Sequence, residues 1–208
     1  MKAGRHRTFD KDIALDQAMQ VFWSNGYPGT SLADLTDAMG INKPSLYAAF
    51  GNKEKLYQSA LAMYVEKHGA IHTEHLFTTD QSLDVRVQNY LSSIAKMLTD
   101  PKLPGGCMVC ISTSEVGGSC IPTAALESVL KINELTKTSL TAFFSDEILQ
   151  GNIGSTSSAT ILANYLLSLQ FGLSVMARNG AKLAELCEII KFSTAHFNAI
   201  SMEQSEST

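Results

Sequence analysis

The sequence predicts an all-α protein of about nine helices. Apolar residues recur every three or four positions almost throughout, and Gly, Asn and Pro interrupt that pattern at helical lengths. No stretch of two-residue alternation competes with it. With 208 residues, 45% apolar and 17% charged, and a mean hydropathy of +0.03, the chain has ample material for a core and none of the bias of a disordered polymer.

The first helix is carried by Phe9, Ile13, Ala14, Ala18, Val21 and Phe22, which follow one face, and it stops at Asn25-Gly26 with Pro28-Gly29 beyond. Thr30 and Ser31 offer a hydroxyl cap to a second helix, whose stripe Leu32, Leu35, Met39 closes at Gly40. The turn Gly40-Ile41-Asn42-Lys43 then leads to Pro44, which suits a first helical turn because its missing N–H would be unpaired there anyway. This third helix runs to about Phe50. Gly51-Asn52 separates it from a long fourth helix, in which Leu56, Ala60, Met63 and Tyr64 keep one apolar side to about Leu76.

Further helices are expected at about 81–99, 106–116, 122–149, 156–178 and 182–201. In the last two, Leu162, Leu166, Leu169, Leu173 and Met176 step 4-3-4-3, as do Leu183, Cys187, Ile190, Thr194 and Phe197. Such seams pack helix against helix at shallow angles, either within the chain's own core or against a second subunit.

The net charge of −4 argues against a protein that simply coats nucleic acid. Its distribution changes that view. Residues 1–68 carry eight Lys/Arg against seven acids and the rest eight against thirteen, so the two parts stand at +1 and −5. Lys2, Arg5, His6 and Arg7 precede any acid and read as a basic arm, which places an anionic partner at the N-terminal end. No run of 18 apolar residues and no signal-peptide pattern is present, so a cytoplasmic protein without a membrane partner is expected. Four cysteines in a chain of this size imply free thiols rather than a disulfide framework.

Two short helices joined by a tight Gly-containing turn, backed by a third, make a helix-turn-helix. In the third helix Leu46 and Phe50 take the core side, leaving Lys43, Ser45, Tyr47 and Ala49 on other faces. A cation, a hydroxyl and a phenol near a helix start suit phosphate and base-edge contacts in a major groove. The stretch Phe22 to Leu56, with Gly26-Tyr27, Gly29-Thr30-Ser31, Leu35, Gly40-Ile41, Ser45-Leu46-Tyr47, Phe50 and Lys53-Glu54-Lys55-Leu56, resembles the DNA-binding region of the TetR/AcrR family of bacterial transcriptional regulators.

The resemblance covers about the first 60 residues. It implies a helix-turn-helix head with its basic arm over 1–52 and a larger helical ligand-binding and dimerisation domain over 53–208. It implies that Thr30 and Ser31 touch phosphate and that Lys43, Pro44 and Ser45 lie at the front of the recognition helix. Tyr47 would bond a phosphate and Lys53 would reach the DNA backbone. Ala48-Ala49 departs from the larger residues many relatives carry there, which shifts base reading toward Lys43, alanine contact with thymine methyls, and Arg5 or Arg7 in the flanking minor groove. The implied partners are double-stranded operator DNA, a second copy of the chain joined through the two seams, and a small-molecule effector that releases the DNA. No cofactor is expected.

Beyond the head, the effector pocket is expected to draw on Met97, Cys107, Met108, Phe143, Tyr165 and Phe171. His68, His72 and His75, at i, i+4 and i+7, have metal-ligand spacing on a helix face, against the plainer reading of a solvated or packed polar side. Cys107 and Cys110 open a helix after Gly105-Gly106, where the dipole favours a thiolate, and with Cys120 they form a candidate redox set. The plainer reading is that small thiols pack a pocket wall. No phosphate loop or nucleophile elbow is present, so an all-helical enzyme with an accessory head is the rival reading and a protein-interaction adaptor the other.

Overall fold

The computed structural model describes residues 9–116, 121–154 and 156–202, with side chains to residue 195. Every described element is helical: α1 (Lys11–Asn25), α2 (Leu32–Met39), α3 (Lys43–Phe50), α4 (Lys53–Tyr64), α5 (Leu83–Leu98), α6 (Met108–Glu115), α7 (Thr123–Leu149), α8 (Ala159–Arg178) and α9 (Leu183–Met202). Local chemistry sets the early boundaries. Asp10 accepts the Asp12 and Ile13 amides to start α1, and Asn42 and Asn52 cap α3 and α4 in the same way. Ser31 and Asp34 form a reciprocal capping box on α2, which ends at Gly40 in the left-handed region at φ 63°.

The fourth helix departs from expectation. Its α geometry ends at Tyr64, and the chain continues as a π turn over Val65–Gly69 and a 3-10 segment over Ala70–Phe77. The change in pitch removes the regular row on which His68, His72 and His75 were placed, because side chains no longer advance by a constant 3.6 residues per turn.

Two buried clusters organise the chain. One holds Phe22, Trp23, Leu35, Leu46, Leu56, Tyr57 and Tyr64 with Met108, Ala125 and Val129. The other joins Val87, Leu91 and Leu98 of α5 to Phe144, Leu166, Leu186 and Ile190. A boundary after residue 52 therefore cuts between residues of one core, since α4 packs with α1–α3.

The expected dimer seam turns inward. Leu162, Leu166, Leu173 and Ile190 are buried in the chain's own second core, and Leu169, Met176 and Leu183 pack against it. Cys187 is half-buried, and the side chain of Phe197 lies outside the described residues. The outer side of α8 instead exposes Ile161, Tyr165, Ser168, Gly172 and Val175, a second row with the same 4-3 spacing. By length and composition α8 resembles a membrane span, but its inner row is seated against α5, α6 and α7.

A buried ion pair fixes the second core. Both terminal nitrogens of Arg86 on α5 bond the Glu147 carboxylate on α7, and Arg86 also donates to the Leu76 carbonyl at 2.9 Å. It thereby ties the end of the 3-10 segment to two long helices. Breaking one partner of such a pair strands a buried charge, whereas replacing both with apolar residues of similar size does not. Glu147→Leu is expected to lower the unfolding free energy in urea by about 3 kcal/mol or more, while the double change Arg86→Met, Glu147→Leu falls within about 1 kcal/mol of the original. Equal losses in the two proteins would contradict this account.

The C-terminal end of α1 is held by the second half of the chain. Trp23 donates its indole N–H to the Gly106 carbonyl at 3.1 Å, Arg178 of α8 donates to the carbonyls of Trp23 and Ser24, and Glu115 of α6 accepts the Tyr27 amide at 3.3 Å. Gly26 is required there. Its φ is +71°, and a Cβ would sit 1.9 Å from Glu115 Oε1. Glu115→Ala is expected to speed hydrogen exchange of the Tyr27 amide by about five- to tenfold, the value of one modest hydrogen bond, with the α5 amides unchanged. Uniform acceleration would mean global destabilisation instead.

Candidate functional site

The outer side of α3 is open. Leu46 and Phe50 are buried beneath it, while Asn42, Lys43, Pro44, Tyr47 and Ala48 are exposed and Ser45 and Ala49 are half-buried. Tyr47 is 47% exposed, so its ring is not a core group. Asn42 spends its side-chain oxygen on the Ser45 amide at 2.9 Å, which fixes the first turn and leaves Lys43 and Pro44 at the leading edge. Lys11 lies 5.2 Å from the Phe50 ring centre, adding a cation at the far end of the helix.

Two of the expected phosphate contacts are otherwise engaged. Thr30 is buried and its hydroxyl donates to the Gly26 carbonyl at 2.7 Å, so it braces the turn after α1. Lys53 folds back, donating to the Tyr27 carbonyl at 2.7 Å with its ammonium 4.2 Å from the Tyr27 ring centre, and burial holds its pKa below the ordinary lysine value. Ser31 stays exposed; its oxygen accepts the Asp34 amide, which leaves its own proton to donate. Arg5 and Arg7 lie outside the described residues.

Behind the head, α4 and its π and 3-10 continuation meet α5–α8 around a cavity of about 260 Å³. Met97, Cys107 and Phe171 line it as expected, together with Cys110. The other three expected residues do not. Met108 is buried in the head cluster, Phe143 packs edge-on against Phe77 and Phe144, and Tyr165 is part of the exposed row on α8. Apolar period alone does not distinguish cavity wall from core.

Among the described residues the lining contains no Asp, Glu, Lys or Arg. Its titratable groups are held neutral as well. Burial pushes the Cys107 and Cys110 thiols up, raises the Tyr64 and Tyr90 phenols, and lowers His68 and His72. The thiolate expected at Cys107 from the helix dipole is thus overridden by desolvation; its sulfur accepts the Tyr64 hydroxyl at 3.2 Å. Cys120 lies outside the described residues.

The histidines do not gather. His68 is tilted against Trp23 and Tyr64, His72 Nδ1 pairs with Ser93 Oγ at 2.8 Å, and His75 is half-exposed. Among the described residues no group of three or more His, Cys, Asp and Glu side chains is placed to hold a metal ion. The sequence reading missed the groups that join head to cavity. Tyr64 is the clearest: its ring meets Trp23 edge-on at 4.7 Å while its hydroxyl reaches the cavity thiol. Glu115 and Arg178 were missed too, because a pairing across more than 80 residues leaves no local signal.

Residues 14–60 match the model of "Bacterial regulatory proteins, tetR family". The repressor ComR of Escherichia coli (strain K12) is 37% identical over 189 residues, 89% of this chain and 88% of its own. BdcR, a repressor of the same strain, is 27% identical across 88% of this chain and 87% of its own. A cysteine-substituted variant of the TetR-family regulator CifR, solved with a 26-bp double-strand operator DNA, is 33% identical with a TM-score of 0.78, covering 92% of this chain and 98% of that one. Similarity to ComR at that identity, over nearly the whole of both chains, joined to a helix-turn-helix whose reading face is open, shows that this chain belongs to the TetR family of bacterial transcriptional regulators.

Proposed function

We propose that the chain is an effector-responsive repressor that binds a palindromic operator as a homodimer. The observation that carries this is the face of α3: a short helix seated by Leu46 and Phe50 that presents Lys43, Pro44 and Tyr47 to solvent. Similarity to ComR and BdcR, both named as repressors, supports the direction of control. Ser31 and Tyr47 contact phosphate, Lys43 with Ser45 and the alanines meets base edges, and Arg5 or Arg7 enters the flanking minor groove. Residues 1–52 supply these contacts; the remainder holds effector and partner, with α4 shared between the two. An enzyme is disfavoured by the similarity of nearly the whole chain to ComR, named as a transcriptional repressor.

The partner surface we assign is the outer row of α8 with the outer side of α9. Ile161 is 68%, Val175 53% and Phe192 85% exposed, and a Cβ at Gly172 would meet nothing within 4 Å. Large apolar groups in a row at 4-3 spacing, with a small residue among them, suit a close helix–helix contact between copies. Two heads in such a dimer enter successive major grooves about 34–36 Å apart.

Selection of bound fragments from random DNA provides the operator on which the reading is tested. Lys43→Ala is expected to weaken binding at least about tenfold, to relax the preference at the base it meets, and to reduce the slope of log affinity against log salt by about two, since the dimer loses one DNA-contacting cation from each protomer. Tyr47→Ala weakens binding without unfolding the protein. Lys53→Ala behaves differently, lowering the melting temperature and leaving the salt slope unchanged. Normal affinity in the first two variants would remove α3 from the interface. For assembly, sedimentation should show a dimer that Val175→Glu or Phe192→Glu converts to folded monomer, whereas changes at Leu166 unfold the chain. A dimer indifferent to both glutamates would move the contact elsewhere.

A further inference from the structure

The cavity's polar atoms are largely spoken for. The Tyr64 hydroxyl donates to Cys107, Gln170 donates to the Tyr90 hydroxyl at 2.9 Å, and the Asn133 amide donates to Thr113 at 2.9 Å. Among the described buried residues of the lining, His72 is the exception. Its residue is 4% exposed, it lines the cavity, and its Nε2 is buried without a hydrogen-bond partner. An unpaired buried polar atom costs free energy unless something satisfies it, so a side chain held in this state on a cavity wall marks where an occupant bonds.

The other edge of the ring defines what that bond must be. Nδ1 lies 2.8 Å from Ser93 Oγ, so this nitrogen already has its partner within the chain. With Ser93 as acceptor, the neutral imidazole carries its proton on Nδ1 and Nε2 is a bare lone pair. The group opposite it therefore donates. Water alone is a poor occupant of a space walled by Val65, Ile94, Leu98, Leu140 and Leu167, because it needs several polar partners at once. A cavity of about 150 Å³ is known to admit benzene, so one of about 260 Å³ takes one or two rings or an aliphatic chain of that bulk.

We propose that Ser93 accepts from His72 Nδ1 and that the effector is a small, uncharged, mostly apolar compound carrying one hydroxyl or N–H, which it donates to His72 Nε2. The proposal rests on the effector-responsive reading above and narrows it to a ligand class and a specificity-determining residue. Anions and cations are excluded by a lining without a countercharge. His72 sits in the 3-10 segment just after the π turn of Val65–Gly69, so an occupant that engages it acts on the non-α stretch leading back into α4.

The test uses the full chain without DNA, so it succeeds or fails independently of operator binding. Calorimetric titration compares β-naphthol with naphthalene, which has the same rings and no donor, and with β-naphthoate, which carries a charge. The original protein is expected to bind β-naphthol about fivefold tighter than naphthalene, the value of one neutral hydrogen bond, and to show no saturable binding of the carboxylate. His72→Leu, or His72→Phe if circular dichroism shows the leucine variant unfolded, erases or reverses the preference because the hydroxyl is then buried unpaired. His72→Gln, whose amide oxygen accepts, keeps part of it. Equal binding of the two neutral compounds, tight binding of the carboxylate, absence of binding by all three, or a preference that survives in the folded apolar variant would each overturn the proposal.

Discussion

The arrangement depends on how the C-terminal end of α1 is held. A helix leaves its last carbonyls without intrahelical partners and carries a partial negative charge there. Here the guanidinium of Arg178 supplies both donors and countercharge, the Trp23 indole reaches out to Gly106, and the turn that follows is pinned by Glu115 through the Tyr27 amide. These partners come from α8, from the loop before α6 and from the last residue of α6. The reading helix is seated on α2 and α4, which both pack on α1, with Leu46 and Phe50 in the shared core, so whatever orients α1 orients α3 as well. The head is therefore not a bead on a string: its direction is set by bonds to the part of the chain that surrounds the cavity.

The same elements bring cavity and head into contact. α6 begins at the cavity with Cys107 and Cys110 and ends at Glu115 on the head, a span of only two turns. Tyr64 does the same across its own length, with its ring on Trp23 and its hydroxyl on Cys107. Trp23 is fully buried and Tyr64 nearly so, and close-packed groups pass on a displacement rather than absorb it. The stretch just beyond Tyr64 is the least regular of the backbone near the cavity, since a π turn followed by a 3-10 segment gives up α-helical hydrogen bonding where those residues line the wall. Stiff contacts on the head side and a non-α backbone on the ligand side are a physical basis for coupling two sites in one chain.

The helix-turn-helix was legible in the sequence because its boundaries are chemical and local. Ser31 with Asp34, Gly40, Asn42 with Pro44, and Gly51-Asn52 act within a few residues, and the apolar stripes between them have one solution. The seams of α8 and α9 were legible as packing surfaces but not as to partner. An α8 with apolar residues on two sides yields two rows at the same spacing, and the leucine-rich row that dominates the pattern is the one the chain keeps for itself. Thr30 and Lys53 illustrate a different blindness: a hydroxyl or ammonium that suits phosphate suits a backbone carbonyl equally well, and only the positions of Gly26 and Tyr27 decide. The histidine row failed because it assumed a constant pitch through residues 65–77, where no proline interrupts the sequence and Gly69, at the end of the π turn, is a weak local sign of the change.

On the function proposed above, energetics constrain how an uncharged occupant would release DNA from a dimer. Moving a two-state population from 1:99 to 99:1 takes a differential binding free energy of about 5.5 kcal/mol, which a dimer divides between two cavities at about half that each. One neutral hydrogen bond contributes about 1 kcal/mol, so acceptance by His72 chooses the ligand without supplying the switch. The differential of about 2.8 kcal/mol per cavity then comes from apolar surface buried in one state and not in the other, about 110 Å² at about 25 cal/mol per Å². That is a large part of the wall of a space of about 260 Å³, so it calls for a substantial rearrangement of α6 or of the 3-10 segment. On this proposal selectivity rests chiefly on His72, which pairs with Ser93 and meets the occupant, while Tyr64 and Glu115, which bridge to α1 and the turn that follows it, carry the effect of binding to the head.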